Sequence, residues 1–483
     1  MLQLRSSEIV VFILLTGALM AQAPQPFPQP TQPAPQQTNR STSQPNANSN
    51  PYNGSIGAPS STNAPIDLSL ADSIRRGLSY NLGAFLADSA ITQAQAQRLR
   101  ILSQLLPQIS ANIRETRQRE SLRALGITFP NVPPTVEFSV TDLRATLNES
   151  LTLSAWESSR AARASVEAAR FDAHNAREAV VLIVGSTYLL VLDAEARRDA
   201  ALAQVKTAQA LLQLAQDQER AGLVAHIDAL RAAVQLHAAE TTADQAENAV
   251  AKQRMMLARV IGLSALQPLR LTDRMEYAPA PVVALEDALV IAYRARPDYQ
   301  SALANLHAAE LQKRAAEAER IPGLVVSGDY GFIGPSARDF EATWTATALL
   351  NIPIFEGGRI RAEILQAEAQ LRDRRAEAEN IRGAIEQDVA AALLDIATAR
   401  KQVETARLNV DLANQTLEQA RDRFAAGLTN NIEVIQAQQA LAAANEQSID
   451  SVYAHNVAKT MLARSTGDAE GAVLRFLTGA KQE

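Results

Sequence analysis

The chain has 483 residues, a net charge of −6, 47% apolar but only 4% aromatic residues, and no cysteine. The acidic balance argues against a nucleic-acid partner, which calls for a basic patch. Without cysteine there can be no disulfides, thiolate metal sites, cysteine nucleophiles or lipidated N-terminal cysteine.

The first 23 residues read as an export signal. Arg5 precedes an apolar run from Ile9 to Leu19, and Ala21-Gln22-Ala23 offers a small-residue cleavage pattern. The cut site stays open, because Glu8 and Pro24 depart from the usual pattern. Residues 24–65 are rich in Pro, Gln, Asn, Ser and Thr. A segment with so little to bury does not offset its ordering entropy, so a disordered tether is expected there. No later run reads as long and apolar enough for a transmembrane helix, which needs about 20 residues.

From residue 66 the chain repeats itself. Gly222 and Gly427 stand 205 positions apart, and the same offset aligns Leu223 with Leu428, Ile227 with Ile432, and Asp228 with Glu433. "RMMLARVIG" from Arg254 meets "KTMLARSTG" from Lys459 without a gap. "LADSI" from Leu70 matches "LEDAL" from Leu285, and Pro107 matches Pro322, at an offset of 215. "LSAWESSR" from Leu153 resembles "IPIFEGGR" from Ile352 at an offset of 199, which puts a longer loop in the first half around "SLRALGITFPNVPP". Two domain-sized copies follow, 66–268 and 269–468, with a short tail at 469–483. A unit this long is not a solenoid repeat.

Each copy reads as helix, amphipathic hairpin, very long helix, turn, second long helix. From Val140 to Leu153 polar residues at even positions alternate with Leu143, Ala145, Leu147 and Leu151. Leu324, Val326, Gly328, Tyr330 and Phe332 share one face of another strand. Ala342, Trp344, Ala346, Ala348 and Leu350 do so in the next, and Ile109, Ala111 and Ile113 less cleanly in the first. Alternation of this length fits membrane-barrel strands of about 9 to 11 residues, with Tyr330, Phe332 and Trp344 as an aromatic girdle. Four strands cannot close a barrel, and lipid does not tolerate open edges. The barrel must therefore be shared, and three copies would supply twelve strands.

The long helices run from Trp156 to Gly222 and from Gly358 to Gly427. Roughly 65 residues at 1.5 Å each make a rod of about 100 Å. Ile396, Ala399, Val403, Ala406, Val410, Ala413, Leu417, Ala420 and Phe424 step by three and four, a heptad seam that supercoils left-handed. Leu182, Gly185, Leu189, Leu192 and Ala196 repeat the steps in the first copy. Gly222 and Gly427 end these helices, so each repeated phrase is the tip of an antiparallel helical hairpin. Gly357 and Gly358 in "FEGGR" form a strand-to-helix turn. The fold class read here is mainly α with a small β part. Long helical hairpins form a trimeric α-barrel and four strands per chain enter a shared 12-stranded transmembrane β-barrel.

The tandem repeat, the Leu-Pro before the first strand, "IPIFEGGR" leading into a long helix, and the "AGL" phrases followed by Ile-Asp/Glu occur in a telling order. In these features residues 66–468 resemble the TolC-type outer-membrane efflux proteins. The resemblance implies a homotrimer in the outer membrane of a double-membrane bacterium, with a periplasmic helical tunnel holding most of the chain. It implies docking to an inner-membrane pump through a periplasmic adaptor. Carried over, the tips comprise Gly222, Leu223, Val224 and Ile227 in one copy and Gly427, Leu428, Thr429 and Ile432 in the other. The candidate gate comprises Glu433, Gln436, Asn430 and Asp228. Glu433 matches the family's first acidic gate position, whereas Gln436 departs from the second. Glu433 is either a gate charge or a solvated charge favoured by its helix dipole.

None of the five histidines falls in a metal-ligand spacing, and the glycines of "SGDYGFIG" fit no dinucleotide or P-loop pattern. No cofactor, metal or catalytic constellation is expected, so transport energy must come from a partner. A competing reading is a periplasmic coiled-coil adaptor or scaffold, but an adaptor would carry one helical hairpin between compact β domains.

Overall fold

In the computed structural model the two copies are built alike, element by element. The structure describes residues 50–57, 64–124, 126, 133–280, 283–336 and 339–478. The export signal and the first part of the tether lie outside them.

The first copy opens with β1 (Ile66–Leu68), α1 (Leu70–Tyr80) and α2 (Leu82–Leu102). The hairpin β2 (Gln108–Ser121) and β3 (Thr135–Leu151) follows, then α3 (Leu153–Arg220) and α4 (His226–Val260). The second has β4 (Leu269–Leu271), α5 (Leu285–Ala295), α6 (Pro297–Ala318), β5 (Gly323–Gly334), β6 (Glu341–Asn351), α7 (Arg359–Ala425) and α8 (Asn431–Ser465), and the chain continues into α9 (Ala469–Thr478). At 1.5 Å per residue, α3 and α7 are each about 100 Å long. Gly185 and Gly383 lie inside them without a break.

The seam read in α7 is the buried one. Ala399, Val403, Ala406, Leu417, Ala420 and Phe424 are buried, and Ile396, Val410 and Ala413 are half-buried. Alanine at every second position lets α7 and its neighbours approach closely. Every long hairpin helix ends in the same way. Gly222, Gly262, Gly427 and Gly467 all have φ between 70° and 81°, and the next residue's N–H reaches back to a carbonyl five residues earlier, as in Leu223 to Gln218 at 2.8 Å and Leu428 to Arg423 at 2.9 Å. This is the left-handed glycine cap that satisfies orphan carbonyls.

The main core lies where the copies join. Leu68, Leu70, Ile74, Val180, Val181, Val184, Tyr188, Leu257, Ile261, Leu269 and Val473 pack together there. The Tyr188 hydroxyl donates to Asp273 Oδ2 at 2.8 Å, and the same carboxylate oxygen accepts from the Leu70 N–H at 2.8 Å. Glu178, 2% exposed, accepts from Arg464 Nη1 at 3.1 Å and from the Ala469 N–H at 3.3 Å, holding the start of α9. Burial pushes the Glu178 carboxyl above its ordinary value, with Arg464 acting the other way.

Four sequence expectations need correction. β1 and β4 form a parallel pair, Ile66↔Leu269 to Leu68↔Leu271, that links the starts of the two copies; strands of three residues leave no readable alternation. Residues 50–57 of the expected tether are docked: Asn50 caps a turn at Pro51–Asn53, and the Tyr52 carbonyl accepts from Asn81 Nδ2 at 2.6 Å. The tail includes α9, whose Ala469, Ala472 and Val473 are fully or nearly fully buried. Finally, the middle of α3 is long and apolar enough to cross a membrane by composition, yet it is the core helix, with Val180, Val181, Val184 and Val191 at 0% exposure. Strand bounds also shift. Thr152 caps α3 through the Ala155 N–H at 3.2 Å, so Leu153 is helical rather than the last strand residue.

Candidate functional site

The strands make one antiparallel sheet in the order β2-β3-β5-β6. Its register sorts side chains into two faces. One face carries rows such as Ile113–Leu143–Phe332–Ala342 and Ala111–Ala145–Tyr330–Trp344. The opposite face carries Asn112–Arg144–Gly331–Thr343 and Ser110–Thr146–Asp329–Thr345. Among the described residues nothing covers the apolar face: Ile113 is 79% and Trp344 73% exposed. Tyr330 and Phe332 meet edge to face at 5.7 Å, and Trp344 is paired with Tyr330 across the strands, so the three aromatic residues cluster. On the polar face Arg144 donates to Asp142 at 3.2 Å, to Thr343 at 3.1 Å and to Asp329. Within the chain, β2 and β6 are the sheet's outer strands, each paired on one side only.

The ends of the sheet differ. Gln108, Leu151, Gly323 and Asn351 lead to helices, whereas Ser121, Thr135, Gly334 and Glu341 lie at the far end. Gly357 and Gly358, at φ 62° and 91°, lie between β6 and α7. No Cβ would clash at either, so both serve backbone conformation.

At the other end of the long helices the two tips lie together. Leu211, Ala215, Ala229, Ala232, Leu417, Ala420, Phe424, Val434 and Ala437 form a core of four helices beneath them. Gly222 and Gly427 sit in open space. Leu223 and Leu428 project as matched knobs, 75% and 74% exposed. Ile227 and Ile432 are also exposed and, with Leu230, Val234, Ile435 and Gln436, line a groove between the first turns of α4 and α8. Val224 and Thr429 are half-buried.

The candidate gate residues divide. Asn430 is exposed and caps α8, accepting from the Ile432 N–H at 3.1 Å. Glu433 Oε2 accepts from Thr429 Oγ1 at 2.6 Å, and its Oε1 lies 3.6 Å from Arg423. Asp228 is buried at 9% exposure, with Arg231 at 3.5 Å. Gln436 is exposed and lines the groove. Both carboxylates lie in a helix's first turn, where the dipole favours them. Sequence reading missed Asn431, which is 0% exposed and donates through Nδ2 to the Asp228 carbonyl at 2.6 Å. The signal was present but weak: its counterpart at the repeat offset is His226, whose Nδ1 instead lies 2.6 Å from Glu219 Oε1. Arg423 was also missed. Among the described residues no group of three or more His, Asp or Glu side chains is placed to hold a metal.

With this geometry in hand, comparison with known proteins is decisive. Residues 82–263 and 289–468 match the family described as outer membrane efflux protein. The chain belongs to that family. The two matched stretches fall one in each copy of the duplication. Within the family, a curated relative is the pyoverdine export outer membrane protein OpmQ of Pseudomonas putida, 27% identical over 303 residues. That alignment spans 62% of this chain and 63% of the relative. Solved structures share the fold: the Campylobacter jejuni CmeC outer membrane channel is 18% identical at a TM-score of 0.73, covering 87% of this chain and 92% of that one. The open state of the Neisseria gonorrhoeae MtrE outer membrane channel is 18% identical at a TM-score of 0.71, covering 86% and 95%.

Proposed function

We propose that this outer membrane efflux protein is the passive conduit of a tripartite efflux or type I secretion system. The observation that carries the reading is the sheet: four strands, two open edges and one uncovered apolar face, joined to helices about 100 Å long. On that face β3 carries Leu143, Ala145, Leu147 and Leu151, with Glu149 between the last two; the span is about 26 Å along the strand and about 20 Å once tilted, close to the apolar band of roughly 25 Å in outer-membrane barrels. Open edges cannot stand in lipid, so copies must close the ring. Three copies supply twelve strands around an aqueous lumen faced by Arg144, Asp329 and Thr146. The same three copies join their helices into a periplasmic α-barrel. The adaptor reading does not account for this sheet.

In this reading the tips close the far end of the tube. Leu223, Leu428 and the groove between α4 and α8 offer apolar docking surface to a periplasmic adaptor, which couples the tube to an inner-membrane pump. Glu433, beside Arg423 and Thr429, lines the closed end, with Asn430 and Gln436 next to it. The pump selects the cargo and supplies the energy, because a passive tube has no need of a tight pocket.

Fractionation tests the reading. The protein should be extracted from outer membranes by detergent as a trimer and should form channels in planar bilayers. A soluble periplasmic monomer that forms none would overturn it.

A further inference from the structure

The β2–β3 hairpin is longer than the sheet it belongs to. β5 pairs with β3 from Leu151↔Leu324 only as far as Thr141↔Gly334. β2 and β3 run on for six more pairs, Thr116↔Val140 to Ser121↔Thr135, away from the helical end. The register is unbroken, so side chains keep alternating between the same two faces.

The chemistry of the faces of β3 exchanges at this point. Within the sheet the outer face is mainly apolar, Glu115 and Glu149 apart, and the inner face mainly polar. Beyond it the outer face carries Arg117, Arg119, Glu137 and Ser139. The inner face carries Val136, Phe138 and Val140 on β3, beside Thr116, Gln118 and Glu120 on β2. Polar residues begin outside where the lipid-facing band stops, as water contact requires. The apolar stripe inside has no such reason. Phe138 is 42% and Val136 37% exposed. An isolated two-stranded ribbon is marginal in water, and an apolar stripe on it needs cover. The outer side is already tied down, because Ser139 Oγ donates to the Pro335 carbonyl at 3.0 Å.

We propose that the ribbons of three copies lean over the lumen and cover one another's Val136–Phe138–Val140 stripes, narrowing the outer mouth. The inference rests on the trimeric-barrel reading. A second copy is the fitting occupant because the stripe continues the lumen face, which only chains around the same axis oppose. The dimensions agree. Six residues reach about 20 Å. Twelve strands spaced about 4.8 Å and tilted about 40° enclose a radius of about 12 Å.

The chain has no cysteine, so Phe138→Cys and Ser139→Cys each introduce a single thiol. In intact cells under mild oxidation, the Phe138→Cys protein should run as disulfide-linked dimers for about two thirds of its chains, the most a three-fold ring can pair. The Ser139→Cys protein should stay monomeric on the same gel and react with a membrane-impermeant maleimide. If the thiol at 138 reacts as fast as that at 139 and forms no dimer, the ribbons stand apart and the inference is wrong while the conduit reading stands. If neither thiol reacts until the cells are broken, and the protein is soluble, both fall together.

Discussion

Asn431 Nδ2 donates to the backbone carbonyl of Asp228 at 2.6 Å, tying the second helical tip to the first across 203 residues. Asn431 is fully buried, and its Oδ1 has no hydrogen-bond partner among the described residues. Replacing it with alanine removes this cross-tip hydrogen bond, a loss of about 0.5–1.5 kcal/mol, while the Asp228 carbonyl stays within the helical ladder of α4. That cost falls on the tips alone, because the joint core lies at the other end of α4 and α8. Asn431→Ala should therefore leave global unfolding little changed while trypsin cleavage at Arg220 and Arg423 becomes several-fold faster. Unchanged cleavage would show that the tips are held by packing alone.

Glu433 and Arg423 make opposite predictions. They lie 3.6 Å apart and are both substantially exposed, so the pair itself contributes little to stability. In the proposed closed tube their effect on permeating ions is the larger one. There, Glu433→Ala leaves Arg423 without this partner in every copy and should lower cation preference. Arg423→Ala should raise it. Reversal potentials across planar bilayers under a salt gradient measure both. Shifts of the same sign, or none, would take the pair away from the ion path.

The sequence revealed what periodicity and repetition carry. The seam from Ile396 to Phe424, the left-handed glycines at 222 and 427, and the face bearing Tyr330, Phe332 and Trp344 all follow from spacing. What escaped depends on contacts between distant segments. Ile66–Leu68 is too short to show alternation, and it becomes a strand only because Leu269–Leu271 lies beside it. Tyr52 sits in a segment whose composition says coil, yet its ring fills the space above Gly83. Glu433 was read as a bare charge, because Arg423 lies ten residues away on another helix and no local pattern joins them.

Two glycines separate conformation from space. Gly222 has φ 73° and open space where a Cβ would be. Gly222→Ala should cost about 1–2 kcal/mol in backbone strain, loosen its tip to trypsin, and still give trimers. Gly331 lies opposite Arg144, and a Cβ there would come within 2.5 Å of the Leu143 carbonyl oxygen and 2.9 Å of Arg144 Cα. Backbone atoms cannot yield as a flexible side chain does. Gly331→Ala should therefore push β3 and β5 apart and reduce the yield of heat-modifiable trimer on unboiled gels. Equal trimer yields from the two variants would contradict the registered sheet.

His455 carries a buried imidazole into the core. It is fully buried, its two ring nitrogens have no hydrogen-bond partner among the described residues, and its ring lies 4.8 Å from that of Tyr277. Burial, then the charge of Lys459, pulls its pKa from 6.5 down to about 4. Lys459 Nζ donates to the Ala278 carbonyl at 3.2 Å, and burial pulls its own pKa to about 8. In the unfolded chain the imidazole gains its proton near 6.5, whereas the folded protein resists it until about 4. The unfolded state thus binds more protons in that window, and stability falls as pH drops from 6.5 to 4. His455→Leu has no proton to gain, so its trimer should lose less melting temperature over the same range. Lys459→Met removes the neighbouring charge and should raise the melting temperature at neutral pH, where the wild-type ammonium is still held in the core. Thermal unfolding of detergent-solubilised trimers at pH 7, 5.5 and 4 checks both. Parallel pH profiles for wild type and His455→Leu would assign the acid sensitivity to other groups.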